Sequence, residues 1–451
     1  MTHKKKTIGR YPVVRLLGSG SMGRVYKVTH PMLEKTAALK LFKPGRALVQ
    51  TLGIQKLRTH FIREASMIAN IRHPNVVQVW SMEETEDGLF YLMDYGCRNL
   101  GKLMGETYWA DTPSRKIPIA QACGYLRQIL SGLGRLHEAG IVHRDVKPFN
   151  IMISDTGNLK IVDFGLSKRR GEVPILPGQG MAIGTPFYIA PEQQISPEKA
   201  DGRADLYSAG VMLYRMVSGR LPGHHMPLLS QSQHGLSLDW DQFMHKALAP
   251  DPDDRFQSAS AMAGHLEQLY DQYDPDLDCV DASLALPDQP VDLPLRSRPE
   301  RILAKNAAKT FLLNEFHQPV RYINNRYETS DELVVDHATG LIWQRSGSSI
   351  PLQWGQAEQY VKKLSQDRFS GLTHWRVPTI EELLSLLAPP STEGYCQPKV
   401  FSDTQKCLWS ADTRSKKSAW AMDLELGFID STDITDYHFV KGVCDLKHLN
   451  S

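Results

Sequence analysis

The segment HRDVKPFN, residues 143–150, sets an aspartate and an asparagine five positions apart, and beyond the apolar run IMI a second aspartate follows in DFG at 163–165. That spacing suits phosphoryl transfer. Asp145 can accept the proton of a substrate hydroxyl, Asn150 can ligate magnesium, and Asp163 can bridge the metal to the β- and γ-phosphates of a nucleotide. Upstream, the run AALK ends at Lys40, and Glu64 lies in HFIREASMIANIRH. If a strand and a helix face each other there, Glu64 can steady the Lys40 ammonium against the α- and β-phosphates. Phosphoryl transfer needs positioning and charge neutralisation more than covalent chemistry, so one base, two metal-binding side chains and one lysine suffice.

The stretch GSGSMGRV, residues 18–25, carries Gly18, Gly20 and Gly23. By itself G-x-G-x-x-G is weak, because glycines between strands also serve tight turns. A dinucleotide fingerprint runs directly into a helix, whereas here Val25 opens a second strand pattern. A strand-loop-strand flap over phosphates is the better reading, and it places Leu17, Gly18, Ser19, Gly20, Ser21, Met22, Gly23 and Val25 at the nucleotide, with Ala38 beside Lys40.

The elements that must hold these residues are legible from periodicity. From Tyr11 to about Tyr95 short β-branched runs (VVRLLG, RVYKVTH, TAALKLF) are interrupted by one helical pattern near 55–70. From Ile119 to Tyr270 the pattern is mainly helical, with Gly140 stopping the helix that begins at Ile119. Residues 271–300 are dense in proline and aspartate, which reads as an exposed linker. Beyond it lie five of the eight tryptophans, favouring a compact mixed β domain with an aromatic core. A length of 451 residues is itself too great for one core.

Together these motifs resemble the eukaryotic-like protein kinases in the form found in bacterial serine/threonine kinases, over residues 11 to about 270. The resemblance implies an α+β, bilobal protein-kinase fold: a β-rich N-lobe at about 11–95 and a helical C-lobe at about 97–270, within a domain of residues 1–271. It further implies that Met93, Asp94 and Tyr95 form the hinge at adenine and that Ala190-Pro191-Glu192 ends the activation segment. Asp205 is expected to steady the catalytic loop, Arg255 to pair with Glu192, and Lys147 to mark serine/threonine over tyrosine preference. ATP and magnesium, with manganese as an alternative ion, are the implied cofactors.

The family arginine before the catalytic aspartate, here Arg144, often pairs with a phosphorylated activation-loop residue. Between Ser167 and Thr185 this chain has no serine, threonine or tyrosine. The loop is therefore expected to order without phosphate, with Glu172 as the substitute anion, while Thr185 in GTPFYIAPE seats the substrate hydroxyl as the matching family threonine does.

After a linker at 272–315, residues 316–451 contain VVDHATGLIWQ, HWRVPTIEELLSLL, LWSAD and AWAMDL. This order resembles the bacterial Lcl C-terminal domain family, also called DUF1566, related to C-type-lectin and formylglycine-enzyme folds, and implies a mixed α+β lectin-like domain. Thr379 should cap a helix with Glu381 and Glu382 in its first turn. The tryptophans read as core rather than a sugar platform. Asp423, Asp430, Asp433 and Asp436 read as a solvated acidic face rather than a calcium site.

Lysine plus arginine (52) nearly balances aspartate plus glutamate (50), so no global field favours nucleic acid. No apolar run is long enough for a membrane span, the basic N-terminus lacks the apolar stretch of a signal peptide, and six scattered cysteines form no C-x-x-C pair. A cytoplasmic enzyme is expected, phosphorylating protein serine or threonine, with the C-terminal module binding a ligand or partner. The alternative is a kinase-fold scaffold with little phosphotransfer, in which the lectin-like module carries recognition.

Overall fold

The computed structural model describes residues 6–20, 22–107, 112–154, 157–164, 168–169, 186–223, 226–232, 235–273, 295–389, 400–401 and 405–448. The chain divides into two units, the first made of Met1–Lys116 and Ala120–Tyr273, the second having Asp274–Ser451 as its main part.

The first unit opens with β1 (Thr7–Ile8), β2 (Tyr11–Ser19), β3 (Gly23–Thr29) and β4 (Thr36–Phe42), then α1 (Arg46–Leu52), α2 (Ile54–Ala69), β5 (Val79–Thr85) and β6 (Gly88–Met93). The strands form an antiparallel sheet in the order β1-β2-β3-β4-β6-β5. On β4 the period of two sends Ala37, Leu39 and Leu41 into a core with Tyr11, Tyr26, Val28, Phe90 and Leu92, and turns Ala38 and Lys40 to the opposite face. On α2 the buried positions Leu57, His60, Phe61, Glu64, Ala65 and Ile68 recur at three- and four-residue spacing, so Glu64 lies on the apolar stripe and is driven inward. Phe61 meets Phe42 and Tyr91 at ring distances of 5.2 and 5.1 Å, locking α2 to the sheet. The helical pattern near 55–70 is α2. The separate α1 was not expected, and Gly53, at φ +79°, divides the two.

The C-lobe follows with β7 (Arg98–Asn99), α3 (Leu100–Met104), α4 (Ile119–Glu138), β8 (Ile141–Val142), β9 (Ile151–Ile153), β10 (Leu159–Ile161), β11 (Lys168–Arg169), α5 (Pro191–Ile195), α6 (Gly202–Ser218), α7 (Leu229–Ser232), α8 (Leu238–Ala247) and α9 (Ala259–Asp271). Gly140 ends α4 as expected, at φ +72° with its N–H on the His137 carbonyl (2.9 Å). Helix α6 is buried almost all round from Ala204 to Val217, and the Asp201 carboxylate caps it by accepting from the Arg203 N–H at 2.9 Å. β10, β9 and β7 make one small sheet, and β11 pairs with β8. These short ribbons frame the loop that carries residues 143–150.

The second unit contains α10 (Ala304–Thr310), β12 (Tyr327–Thr329), β13 (Leu333–Asp336), β14 (Leu341–Gln344), α11 (Trp354–Gln366), α12 (Ile380–Leu384), β15 (Cys407–Ser415), β16 (Ser418–Asp423), β17 (Phe428–Asp433) and β18 (Val443–Asp445). Its two antiparallel sheets run β12-β13-β14-β18 and β15-β16-β17. Trp343, Trp375, Trp409 and Trp420 are buried. Trp409 and Trp420 also bond the Leu352 and Ile302 carbonyls at 2.7 and 3.0 Å, which fits core rather than a sugar platform. Thr379 caps α12 in a reciprocal box with Glu382, as the sequence implied. Ile302, Ala307 and Phe311, inside the stretch read as linker, lie in this unit's core.

The acidic residues are not a solvated face. Asp423, Asp433 and Asp436 are buried, because each closes a turn. Asp423 accepts from the Glu425 and Leu426 N–H groups, Asp433 from Thr435, and Asp436 from the Asp433 N–H and the Thr432 hydroxyl. Asp430 accepts from the adjacent Ser431 N–H at 2.7 Å. Short acidic side chains favour such local bonds to turn backbones. Burial pushes the Cys123 thiol up to about 12. Among the described residues no helix is long and apolar enough to cross a membrane.

Candidate active site

Strand β4 and helix α2 bring Lys40 and Glu64 together: Nζ donates to Oε1 at 2.7 Å, and the Tyr91 hydroxyl on β6 donates to the same oxygen at 2.9 Å. Lys40 also reaches Asp163 Oδ1 at 3.2 Å, so one ammonium joins the N-lobe to the DFG aspartate. Burial penalises that ammonium, but Asp163 and Glu64 outweigh it and hold Lys40 well above its ordinary pKa. Lys40 in turn keeps the Asp163 carboxyl below its usual range. Asp163 takes φ +63°, a left-handed conformation rare for a residue with a side chain.

The catalytic loop hangs on Asp205. Its carboxylate accepts from the backbone N–H groups of His143 (2.9 Å) and Arg144 (2.7 Å) and meets His137 Nε2 at 2.9 Å. Lys147 donates to both oxygens of Asp145 at 3.0 and 2.8 Å. Asn150 spends its Nδ2 on the Asp145 carbonyl (2.8 Å) and carboxylate (2.9 Å). The amide oxygen of Asn150, the atom a hard cation needs, is thereby turned away from Asp145. Burial raises the Asp145 pKa, Lys147 opposes the rise, and Asp163 adds to it. The half-exposed Asp163 carboxylate (53 %) and the Asn150 amide supply oxygen donors only, which fits magnesium or manganese.

The glycine flap is β2 and β3 with their turn. Space beyond the Cα atoms of Gly18 and Gly20 is open, whereas a Cβ on Gly23 would lie 2.1 Å from the Leu41 carbonyl oxygen. Gly23 therefore answers to β4 packing, and Gly18 and Gly20 leave room over the cleft. Leu17 and Ser19 are exposed, Val25 is half-buried, and Met22 is buried with its carbonyl accepting from Lys43 (3.2 Å). Ser21 lies outside the described residues. Ala38 pairs with Met93 across β4 and β6. Asp94 is largely spoken for: its carboxylate accepts from Trp80 Nε1 (2.9 Å), the Gln78 N–H (3.2 Å) and Lys160 (2.8 Å), and its own N–H goes to the Gln78 carbonyl (3.1 Å). The Tyr95 ring faces the Lys27 ammonium at 4.9 Å.

A family model described as the protein kinase domain matches residues 11–266. The chain belongs to the protein kinase domain family. A second model, the Lcl C-terminal domain, matches residues 332–444. Similar curated proteins include serine/threonine-protein kinase pkn3 of Myxococcus xanthus, 31% identical over 58% of this chain and 51% of that protein. PksC of Streptomyces coelicolor is 34% identical over 56% and 48%, and PrkC of Bacillus subtilis 27% identical over 59% and 41%. The chain thus spans about half or less of the length of the curated relatives it matches. A crystal structure of the PknI kinase domain from Mycobacterium tuberculosis is 27% identical, covering 60% of this chain and 99% of that one with a TM-score of 0.44.

Within this kinase domain, Arg255 and Glu192 form the expected pair, with Nη1 and Nη2 at 2.8 and 2.7 Å from the two carboxylate oxygens. Arg255 also bonds the Ala249 and Pro250 carbonyls at 2.7 and 2.9 Å. Its side chain is fully buried, and Nη1 also reaches the Arg203 carbonyl at 3.3 Å, so Arg255→Met strands the Glu192 charge and three carbonyls. A loss of about 3–5 kcal/mol of stability is expected, read as a lower urea midpoint for the full chain.

Arg144 Nη2 donates to the Pro197 carbonyl at 2.9 Å, and Glu198 and Asp205 support a charge that burial disfavours. Glu172, Ser167 and Thr185 lie outside the described residues, as does Gly165 of DFG. The sequence reading missed Tyr91, His137 and Gly96. A Cβ on Gly96 would lie 2.5 Å from the Ile153 carbonyl oxygen, so the hinge crosses β9 closely. The glycine directly after the hinge residues was a usable signal for it, whereas Tyr91 and His137 carry none outside the fold.

Proposed function

We propose that the chain is an ATP- and magnesium-dependent serine/threonine protein kinase, with a C-terminal module that binds a ligand or protein partner. The observation that carries this reading is the continuous set Glu64–Lys40–Asp163 beside Asp145–Lys147–Asn150. Asp145 takes the proton of the incoming serine or threonine hydroxyl, and Lys147, bonded to both its oxygens, keeps it aimed. Lys40 holds the non-transferred phosphates of ATP, and the Glu64 bond fixes where its ammonium stands. Asn150 and Asp163 are the residues that hold magnesium, or manganese in its place, and the bound ion supplies neutralisation of phosphate charge. Gly18 and Gly20 give the flap backbone room to lie over the nucleotide. Met93, Asp94 and Tyr95 form its hinge wall. Six scattered cysteines without a C-x-x-C pair suit a reducing compartment, and we place the enzyme in the cytoplasm.

The test is incorporation of labelled γ-phosphate from ATP and magnesium into a generic protein substrate by the full chain. Lys40→Met should lower kcat/KM by about 10²-fold or more, through the loss of a charged phosphate contact. Glu64→Gln should raise the KM for ATP with a smaller effect on kcat, because the ammonium remains but is less firmly held. Equal incorporation by wild type, Lys40→Met and Asp145→Asn would sink the enzymatic reading and favour a nucleotide-reporting scaffold.

A further inference from the structure

Strand register brings a tyrosine to the buried lysine of the cleft. In the β4–β6 ladder Lys40 and Tyr91 are directly opposed, so their side chains leave the sheet on one face. Phe90 and Leu92, the neighbours of Tyr91, turn into the core on the other. Tyr91 is 1 % exposed and its ring packs on Phe61 of α2 at 5.1 Å. Lys40 Nζ stands 5.9 Å from the ring centre, and the hydroxyl bonds Glu64.

Glu64 is fully buried, and its two oxygens are treated unequally. Oε1 accepts from both Lys40 (2.7 Å) and Tyr91 (2.9 Å), whereas Oε2 has no partner among the described residues. A buried carboxylate with one bare oxygen keeps part of its desolvation penalty, so each donor it has counts. Lys40 is a divided donor, because Asp163 Oδ1 draws the same ammonium at 3.2 Å. Nucleotide phosphates would divide it further. The phenol is undivided: it has one proton and gives it to Glu64. Burial and the Glu64 charge hold that phenol well above its ordinary pKa, so the proton stays in place.

We propose that Tyr91 is a positioning residue for the phosphate-binding lysine: its hydroxyl anchors the Glu64 carboxylate, and through Glu64 it fixes where the Lys40 ammonium stands. The proposal deepens the kinase reading and rests on it for the role of Lys40. The alternative is that Tyr91 only fills space between the sheet and α2, as the Phe42–Phe61 contact does. Phenylalanine at position 91 separates the two, since it keeps the ring and its packing and removes the one proton. Loss of positioning is felt by ligands that carry phosphate and not by a nucleoside. Loss of packing does not discriminate between them.

The experiment measures Kd for adenosine, ADP and ATP with magnesium on the full chain, wild type and Tyr91→Phe, together with kcat and KM for phosphate transfer. Tyr91→Phe is expected to weaken ADP and ATP by about tenfold, to leave adenosine within about twofold, and to raise the KM for ATP more than it lowers kcat. In a Glu64→Ala background the hydroxyl has no carboxylate to hold, so the same substitution should add nothing, the non-additivity of residues that act through one contact. Equal shifts for adenosine and ATP, no shift for any ligand, or an undiminished loss in the Glu64→Ala background each overturn the proposal. Should Glu64→Ala not fold, the contrast between ATP and adenosine decides. If the binding pattern holds but wild type transfers no phosphate, the kinase reading fails and the Tyr91 linkage stands. If wild type transfers phosphate and Tyr91→Phe matches it with every ligand, the proposal alone fails. A wild type that binds no nucleotide overturns both.

Discussion

Asp145→Asn lowers kcat by about 10²- to 10⁴-fold, with the KM for ATP and the melting temperature near wild type. The substitution keeps shape and hydrogen-bonding reach, so the Lys147 and Asn150 contacts have a partner of the same size. What it removes is basicity, because an amide cannot take the proton of the attacking hydroxyl. Asp145 is anchored by Lys147, and burial raises its pKa while Lys147 opposes the rise. On the acid side the wild-type rate therefore falls as pH drops through that raised value and Asp145 becomes protonated. The same limb should vanish from the residual rate of Asp145→Asn. Single-turnover measurements across pH, with binding of a non-hydrolysable nucleotide as a control, separate lost chemistry from lost binding. A wild-type pH profile retained in the variant would move the base elsewhere.

The catalytic residues were legible because phosphoryl transfer confines them to short stretches. Asp145, Lys147 and Asn150 are spaced by one loop, and the loop's anchor, Asp205, is reached by backbone N–H groups that any sequence would supply. Lys40 and Glu64 were recoverable because a charged residue on an apolar helical stripe demands a partner. What failed was reading direction without knowing the fold. The expectation of a hinge at Asp94 said nothing of its carboxylate, which bonds Trp80 and Lys160, a contact made by β5 and β10 that no local pattern announces. The acidic run from Asp423 to Asp436 looked solvated because its residues are polar, yet in β turns short carboxylates turn back onto their own N–H groups. Helix α1 was missed because it is only seven residues long and buries none of them, so it leaves no apolar stripe to read. Lys441, fully buried just before β18 with its ammonium on the Arg345 carbonyl at 2.8 Å, was invisible for a related reason: local pattern does not say whether a carboxylate awaits a lysine in the core.

That buried lysine yields the second large effect, on stability and with a definite sign. In the unfolded chain Lys441 titrates near the ordinary lysine value of 10.5, whereas folded burial holds it near 7. Between those values the unfolded state binds the extra proton, so stability of the second unit rises with pH; below about 7 both states are protonated and the full penalty is present. A rise of about 2–3 kcal/mol between pH 7 and pH 9 is expected, at about 1.4 kcal/mol per pH unit. Lys441→Met removes the titrating group and fills the same elongated volume, at the cost of about 1 kcal/mol for the Arg345 carbonyl left without its donor. The variant should therefore be more stable than wild type at pH 6, and the difference should shrink as pH approaches 9. Urea unfolding of the full chain followed by tryptophan fluorescence reads this unit preferentially, since five of the eight tryptophans lie in it. A difference between variant and wild type that stays constant from pH 6 to pH 9 would show that Lys441 is charged throughout. It would then be held charged in the folded state by an anion, and the predicted rise of stability with pH would be lost.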